Sequence, residues 1–152
     1  MKQPLQLYFD GLCEYGPDGR RNPGGIAAWG WSLVRDGQEI TSRSDVIGQG
    51  NGMTNNLAEY SALIDGLTYL IEKELNREIV LVMGDSNLVI RQLSGDWQVR
   101  KPSIRELYLQ ADRLLGQFER IELRWIPREQ NERADALSRE AYDRARRYGV
   151  KS

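Results

Sequence analysis

The stretch that organises this sequence is residues 79–86, which read Ile-Val-Leu-Val-Met-Gly-Asp-Ser. Its five consecutive apolar residues predict a short strand that is buried on both faces, as in a sheet covered by helices. Asp85 then lies just beyond the carboxyl end of this strand, where open α/β sheets bind their ligands. Ser86 is a typical N-cap, so we expect a short helix over residues 87–93.

Before this stretch, the pattern predicts three antiparallel strands. Residues 5–10 alternate apolar and polar side chains, which is typical of a half-buried strand. Strands over residues 26–34 and 39–47 flank Asp36-Gly37, which is a tight hairpin signal.

Helices are predicted on both sides of the buried strand. The first begins at Thr54 or Asn55, either of which can cap it, and its apolar residues recur at helical spacing. Further along we expect a helix over residues 102–118, a fifth strand over residues 121–125 and a last helix capped by Asn131. This order predicts an α/β fold with one mixed sheet, three antiparallel strands followed by two parallel ones, flanked by helices.

The composition limits the chemistry. The chain has 152 residues, 40% of them hydrophobic and 28% charged, which indicates a single globular domain over residues 1–152. It contains no histidine, which excludes a Ser-His-Asp triad, a Cys-His pair and a histidine metal site. Because Cys13 is the sole cysteine, a tetrahedral zinc site is also disfavoured. A hydrolase made from this chain would depend on carboxylates and hard cations such as Mg²⁺ or Mn²⁺.

Composition also sets expectations about location and partners. One cysteine and the lack of a long apolar segment favour the cytoplasm and no membrane partner. The net charge of −1 gives no global attraction to nucleic acid, so such a partner would need a local basic patch. No obligate protein partner is indicated, and we expect a monomer.

Four acids stand at positions that suit a site. Asp10 lies on the polar side of the first strand, and Asp85 follows the buried one. Glu59 falls at one edge of the apolar stripe of its helix, from where it points along the sheet surface. Asp135 lies in the first turn of the last helix, where negative charge is stabilised. Each acid alone is more often a solvated surface group, and four together would repel one another unless cations were bound.

Four separated motifs contain these acids: Phe9-Asp10-Gly11, Thr54-Asn55-Asn56-Leu57-Ala58-Glu59, Gly84-Asp85-Ser86 and Asn131-Glu132-Arg133-Ala134-Asp135. In this order and on these elements, they resemble type I ribonuclease H. The segment Asn22-Pro23-Gly24-Gly25 resembles that family as well. The resemblance extends over nearly the whole chain and implies the ribonuclease H-like five-stranded mixed sheet.

The resemblance implies hydrolysis of the RNA strand of RNA/DNA hybrids by a two-metal-ion mechanism. Asp10, Glu59, Asp85 and Asp135 occupy the positions of the family's catalytic, metal-binding acids. Two ions, Mg²⁺ or alternatively Mn²⁺, would lie about 3.5–4 Å apart with substrate bound, hold the scissile phosphate and activate a water. This mechanism needs no protein nucleophile, which suits a chain without histidine.

The resemblance also implies contacts with the hybrid. Asn55 and Asn56 align with residues that touch the substrate, including ribose 2′-hydroxyls, which distinguish RNA from DNA. Thr54 matches a contact with a DNA phosphate. Helix capping is the alternative role of these residues. Further contacts fall on Asn22 and on the backbone of Gly11, Leu12 and Cys13.

The sequence departs from the family pattern at several points, and two of them bear on catalysis and substrate binding. Many bacterial members carry a histidine in the loop before the last acid, and Arg128 is the candidate catalytic replacement here. It can bind phosphate but cannot act as a general base, and an ordinary surface arginine is an equal alternative. The segment after the third acid holds only Trp97, Arg100 and Lys101, which predicts a weak, salt-dependent grip on the hybrid. The arginines of the last helix, including Arg139, are expected to form a solvated face.

Three functions stay open on this reasoning. They are a ribonuclease that cuts hybrids, a non-catalytic hybrid-binding module, and another nuclease of the same fold, such as a transposase or integrase domain or an exonuclease. The complete set of acids favours a nuclease over a pure binding module. The Thr-Asn-Asn motif at residues 54–56 favours the ribonuclease, since it serves hybrid contact rather than metal binding.

Overall fold

The computed structural model describes residues 3–15 and 24–150. Its strands are β1 (Leu5–Glu14), β2 (Gly25–Arg35), β3 (Gln38–Gly50), β4 (Ile79–Gly84) and β5 (Arg120–Trp125). They form one five-stranded sheet in the order β3-β2-β1-β4-β5. The first three strands pair antiparallel, and β4 and β5 run parallel to β1. The predicted α/β fold with a mixed sheet is confirmed.

Helices cover both faces of this sheet. They are α1 (Asn55–Glu72), α2 (Asn87–Leu93), α3 (Pro102–Leu115) and α4 (Glu132–Tyr148). The first three pack on one face over a core around Phe9 and Trp31. The last packs on the other face over Leu12 and Ala28, since successive residues of a strand point to opposite sides. None of the helices in the described parts of the chain combines the length and the apolar character needed to cross a bilayer.

Element ends differ from the predicted ones where tertiary contacts decide them. β1 continues past Asp10 to Glu14, because its pairing with β2 continues beyond the acid. α3 ends at Leu115, earlier than predicted, and Phe118 turns into the core. Asp36-Gly37 forms the predicted hairpin turn, with φ values of 53° and 73°.

Candidate active site

The sheet topology places two of the predicted acids side by side. β1 and β4 are parallel neighbours, and Phe9 lies opposite Gly84 in their register. The next residues along the chain are Asp10 in β1 and Asp85 just after the end of β4. Both acids therefore lie just beyond the last paired residues of β1 and β4, where the sequence predicts Asp85 to lie.

Glu59 lies close to these two acids because α1 crosses β1 at a very short distance. A Cβ atom on Gly11 would lie 2.3 Å from the carbonyl carbon of Ala58, so only glycine fits at this crossing. Glu59 follows directly and is 8% exposed. One carboxylate oxygen from each of Asp10, Glu59 and Asp85 lies within 4.8 Å of the other two. We call these three residues the acidic cluster.

Asp135 lies at the rim of the same cleft. α4 crosses β2 closely, since a Cβ atom on Gly30 would lie 2.6 Å from Cβ of Leu137 and 2.8 Å from the amide nitrogen of Ser138. Gly30 is the partner of Asp10 in the β1–β2 register, so this crossing brings the start of α4 towards the acidic cluster. Asp135 and the cluster line a cleft of about 480 Å³, and the Asp135 side chain is 36% exposed. The fourth predicted acid thus stands beside the cluster.

Burial and mutual repulsion disfavour the ionised form of the acidic cluster. Burial raises the pKa of Asp10 from its ordinary value of 3.8 to about 7, and the negative charge of Asp85 adds to this shift. Burial also raises the pKa of Glu59 well above its usual range, with the charge of Asp10 as the next cause. Within the described residues, Oε2 of Glu59 is buried without a hydrogen-bond partner. This oxygen-only donor set, with an unpartnered carboxylate oxygen, fits a hard divalent cation.

Asn131 connects the acidic cluster to α4 in a way that the sequence analysis missed. It stands at the N-cap position, but among the described residues its side chain makes no capping bond. Its amide nitrogen instead donates to the carbonyl oxygen of Phe9 and to Oδ2 of Asp85, both at 2.9 Å. The predicted start of the helix at Asn131 is confirmed, but the side chain does not bind the helix amides. It is only 1% exposed, and its buried amide group binds the two nearby acceptors instead.

The two asparagines of α1 lie in the cleft, as Asn55 and Asn56 both line it. Oδ1 of Asn55 accepts a 2.7 Å hydrogen bond from the backbone amide of Cys13. Thr54 rather than Asn55 caps α1, because its hydroxyl oxygen accepts from the amide of Leu57 at 3.1 Å. The side chain of Asn55 therefore joins two of the segments for which hybrid contacts are predicted.

The β1 segment offers mainly its backbone to the cleft. Gly11, Leu12 and Cys13 all line it. The Leu12 side chain is buried in the core under α4, so its predicted role is confined to the main chain. Asn22 lies outside the described residues, and its hybrid contact stays a prediction.

Two arginines bring positive charge to the cleft. Arg128 lies in a short 3₁₀ turn with its side chain 75% exposed, and its Nη2 is 3.9 Å from Oδ1 of Asp135. Arg139 also lines the cleft and forms an ion pair with Glu14. Arg139 is partly exposed on α4, as expected for a solvated face, but it also lines the cleft. Its position one helical turn after Asp135, on the same side of α4, is the sequence signal that indicates its place.

Comparisons with known proteins indicate the family to which this chain belongs. Residues 18–141 match a family described as Reverse transcriptase-like. The chain is 41% identical over 142 residues to ribonuclease HI of Halobacterium salinarum, which covers 93% of this chain and 65% of that protein. It is 39% identical over 131 residues to a bifunctional protein of Mycobacterium tuberculosis, covering 86% of this chain. The chain spans 34% of the length of that relative.

Solved structures with the same fold include ribonucleases H at more than 30% identity. The N-terminal ribonuclease H domain of the Mycobacterium tuberculosis protein superposes with a TM-score of 0.81 at 34% identity, over 97% of this chain and 99% of that one. Ribonuclease H1 of Halobacterium salinarum gives 0.78 at 40% identity, over 93% and 99%. LC11-RNase H1 in complex with an RNA/DNA hybrid gives 0.78 at 33% identity, over 93% and 98%. The chain therefore belongs to the type I ribonuclease H family.

Proposed function

We propose that this protein is an endoribonuclease that hydrolyses the RNA strand of RNA/DNA hybrids with Mg²⁺ or Mn²⁺ bound at the acidic cluster. The observation that supports this most is the convergence of Asp10, Glu59 and Asp85 within 4.8 Å, in a chain without histidine. A relative at 33% identity has been solved with an RNA/DNA hybrid bound, which supports the same substrate class here.

The acids are the groups that would hold the cations. Asp10, Glu59 and Asp85 offer oxygen ligands from the cluster, and Asp135 offers another from the rim. When bound, two divalent cations supply Lewis acidity for attack of a water on the scissile phosphate and stabilise the leaving oxygen. The raised pKa values of Asp10 and Glu59 support this proposal, because nearby cations would offset the repulsion among the carboxylates.

Other residues of the cleft are proposed to position the substrate. Asn131 holds one oxygen of Asp85 and so fixes the direction of that carboxylate. Asn55 and Asn56 are proposed to contact the RNA strand, where 2′-hydroxyls distinguish it from DNA. Thr54 is proposed to contact a phosphate of the DNA strand, and the exposed Arg128 a phosphate beside Asp135.

A comparison of substrates tests the proposed function. Purified protein with Mg²⁺ or Mn²⁺ at low salt is given a hybrid, single-stranded RNA, double-stranded RNA and double-stranded DNA. Cleavage of the RNA strand of the hybrid is the expected result. Hybrid binding without cleavage with either ion would instead support a non-catalytic binding module. Preferential cleavage of double-stranded DNA would support another nuclease of the same fold.

We also propose that one copy of the chain carries the whole site as a single domain. The acidic cluster, Asp135 and the asparagines of α1 all come from the same chain and line one cleft. Light scattering of the purified protein should therefore give the mass of a monomer at concentrations that support cleavage. A dimer as the sole active species would contradict this.

A further inference from the structure

Arg139 and Glu14 form a bidentate ion pair inside the cleft. Nη2 of Arg139 lies 2.7 Å from Oε1 of Glu14, and Nη1 lies 2.8 Å from Oε2. Glu14 is the last residue of β1, and Arg139 lies on α4 one turn after Asp135. Both side chains line the cleft with the acidic cluster. The pair therefore stands beside the proposed site of phosphate cleavage.

The guanidinium group of Arg139 is held in place by α4 and the end of β1. Its Cζ atom lies 5.5 Å from the ring centre of Tyr142, which is buried. The Tyr142 hydroxyl donates to the carbonyl oxygen of Tyr15 at 3.2 Å, which fixes the ring. The ring lies against the guanidinium group, and the two terminal nitrogens of Arg139 donate to Glu14. Arg139 is therefore a preorganised donor of two parallel hydrogen bonds.

A guanidinium that binds a carboxylate through two hydrogen bonds matches a phosphate in the same way. We propose that Arg139 binds a backbone phosphate of the hybrid, and that Glu14 occupies this phosphate position in the substrate-free protein. Hybrid binding then exchanges the Glu14 carboxylate for a phosphate. This inference rests on the proposed function, since it assigns a further substrate contact in the same cleft.

The exposure of the pair permits this exchange. The side chains of Arg139 and Glu14 are 38% and 46% exposed. Ion pairs with this exposure contribute little to stability, so their separation is readily compensated by a new ionic contact. A nucleic-acid backbone carries a high density of negative charge and competes strongly for an arginine at low salt. Glu14 therefore acts as a weak internal competitor of the substrate.

A second ion pair on α4 provides a matched control. Arg133 binds Glu39 of β3 with hydrogen bonds of 2.9 and 3.4 Å. Both residues line a different pocket, which contains none of the four acids. Glu39→Gln therefore removes the same charge and the same type of ion pair outside the proposed substrate path.

Binding of a short fluorescent hybrid, followed by anisotropy at low salt in EDTA, tests the inference without any cleavage. We expect Glu14→Gln to tighten binding by about two- to fivefold, because a competing exposed ion pair is removed. Arg139→Ala should weaken binding by roughly tenfold and reduce the salt dependence by about one phosphate contact. In the Arg139→Ala background, Glu14→Gln should have no larger effect than Glu39→Gln.

The inference would be overturned if Glu14→Gln bound the hybrid no more tightly than the unsubstituted protein does. It would also be overturned if Glu14→Gln tightened binding by the same factor in the Arg139→Ala background. Thermal melting of each variant verifies the fold. Arg139→Lys, which keeps the charge but not the two parallel donors, replaces Arg139→Ala if that variant is unstable. A hybrid that is bound and cut without any effect of Glu14→Gln contradicts this inference alone. Failure of the protein to bind a hybrid at all contradicts the proposed function and this inference with it.

Discussion

The side-chain amide of Asn131 donates a 2.9 Å hydrogen bond to Oδ2 of Asp85 and a second one of the same length to the carbonyl oxygen of Phe9. Phe9 directly precedes Asp10, so one buried amide connects β1 beside Asp10 and the segment after β4 with the start of α4. The relative positions of Asp10 and Asp85 therefore depend on Asn131 as well as on the sheet.

We predict that Asn131→Ala weakens ion binding and slows cleavage. The change removes both hydrogen bonds of a buried donor group, which costs about 1–3 kcal/mol of stability. In a titration followed by thermal shift, the midpoint should move to a higher Mn²⁺ concentration. The kcat should fall by a larger factor than KM rises. Gln130→Ala, at the exposed neighbouring position, is the control. An unchanged Mn²⁺ midpoint in a stable Asn131→Ala protein would contradict this role.

The raised pKa of Asp10 predicts that the metal-free protein loses stability as the pH rises. The folded state binds this proton more tightly than the unfolded state, whose pKa is near 3.8, so the free energy of unfolding falls between pH 3.8 and about 7. Cations that bind the ionised cluster should offset the loss. The increase in Tm on adding Mg²⁺ should therefore be larger at about pH 8 than at about pH 5.

Asp10→Asn provides the check on that pH dependence. It removes one titrating group and one ligand, so the pH dependence should decrease to the part that Glu59 contributes, and most of the Mg²⁺ effect should disappear. Equal Mg²⁺ shifts at the two pH values in the unsubstituted protein would contradict the assignment of the cluster as a cation site.

Gly11→Ala should damage both the fold and the site. The added Cβ would meet the backbone of Ala58 at 2.3 Å, so α1 must move away from β1 and take Glu59 with it. We expect a loss of about 1–3 kcal/mol in urea unfolding together with weaker Mn²⁺ binding. Gly52→Ala is the matched control, because no heavy atom of the described residues lies within 4 Å of the new Cβ there. A stable Gly11→Ala protein with unchanged ion binding would refute the close-approach argument.

Arg128→Ala is expected to raise KM for the hybrid roughly three- to tenfold without changing Tm, because an exposed arginine–phosphate contact contributes to binding and little to folding. Arg128→Lys should restore part of the loss by keeping the charge. Arg113→Ala, an exposed arginine on α3, serves as control. If KM for Arg128→Ala equals that of the control, Arg128 is an ordinary surface arginine.

Local sequence patterns were sufficient to predict the sheet, whereas the resemblance of the four motifs to a known family selected the four acids among 22 Asp and Glu residues. Asp10 and Asp85 lie side by side because β1 and β4 are parallel neighbours whose pairing ends one residue before each acid. The position of Glu59 follows from the edge of an apolar stripe, although its burial depends on the glycine contact between β1 and α1. The sequence places Asp135 on its helix but does not give its distance from the other acids, because the packing of α4 on β2 determines that distance.

The contacts that sequence reasoning could not supply are those between distant segments. Capping rules predict a local bond for Asn131, and burial against β1 and Asp85 overrides that preference. The ion pair between Arg139 and Glu14 could not be predicted, because Glu14 lies at the end of β1, beyond the predicted end of that strand. Both contacts arise only after the sheet and α4 have packed together.

The most direct test of the central claim is cleavage of a hybrid whose RNA and DNA strands carry different labels. Asp85→Asn keeps the size of the side chain but removes the charge from the acidic cluster, and Asp112→Asn makes the same change at an exposed position on α3. With Mg²⁺ or Mn²⁺, we predict that the unsubstituted protein and Asp112→Asn shorten the RNA strand alone, and that Asp85→Asn leaves both strands intact. RNA cleavage by Asp85→Asn at the unsubstituted rate, or no cleavage by the unsubstituted protein with either ion at low salt, would contradict the claim.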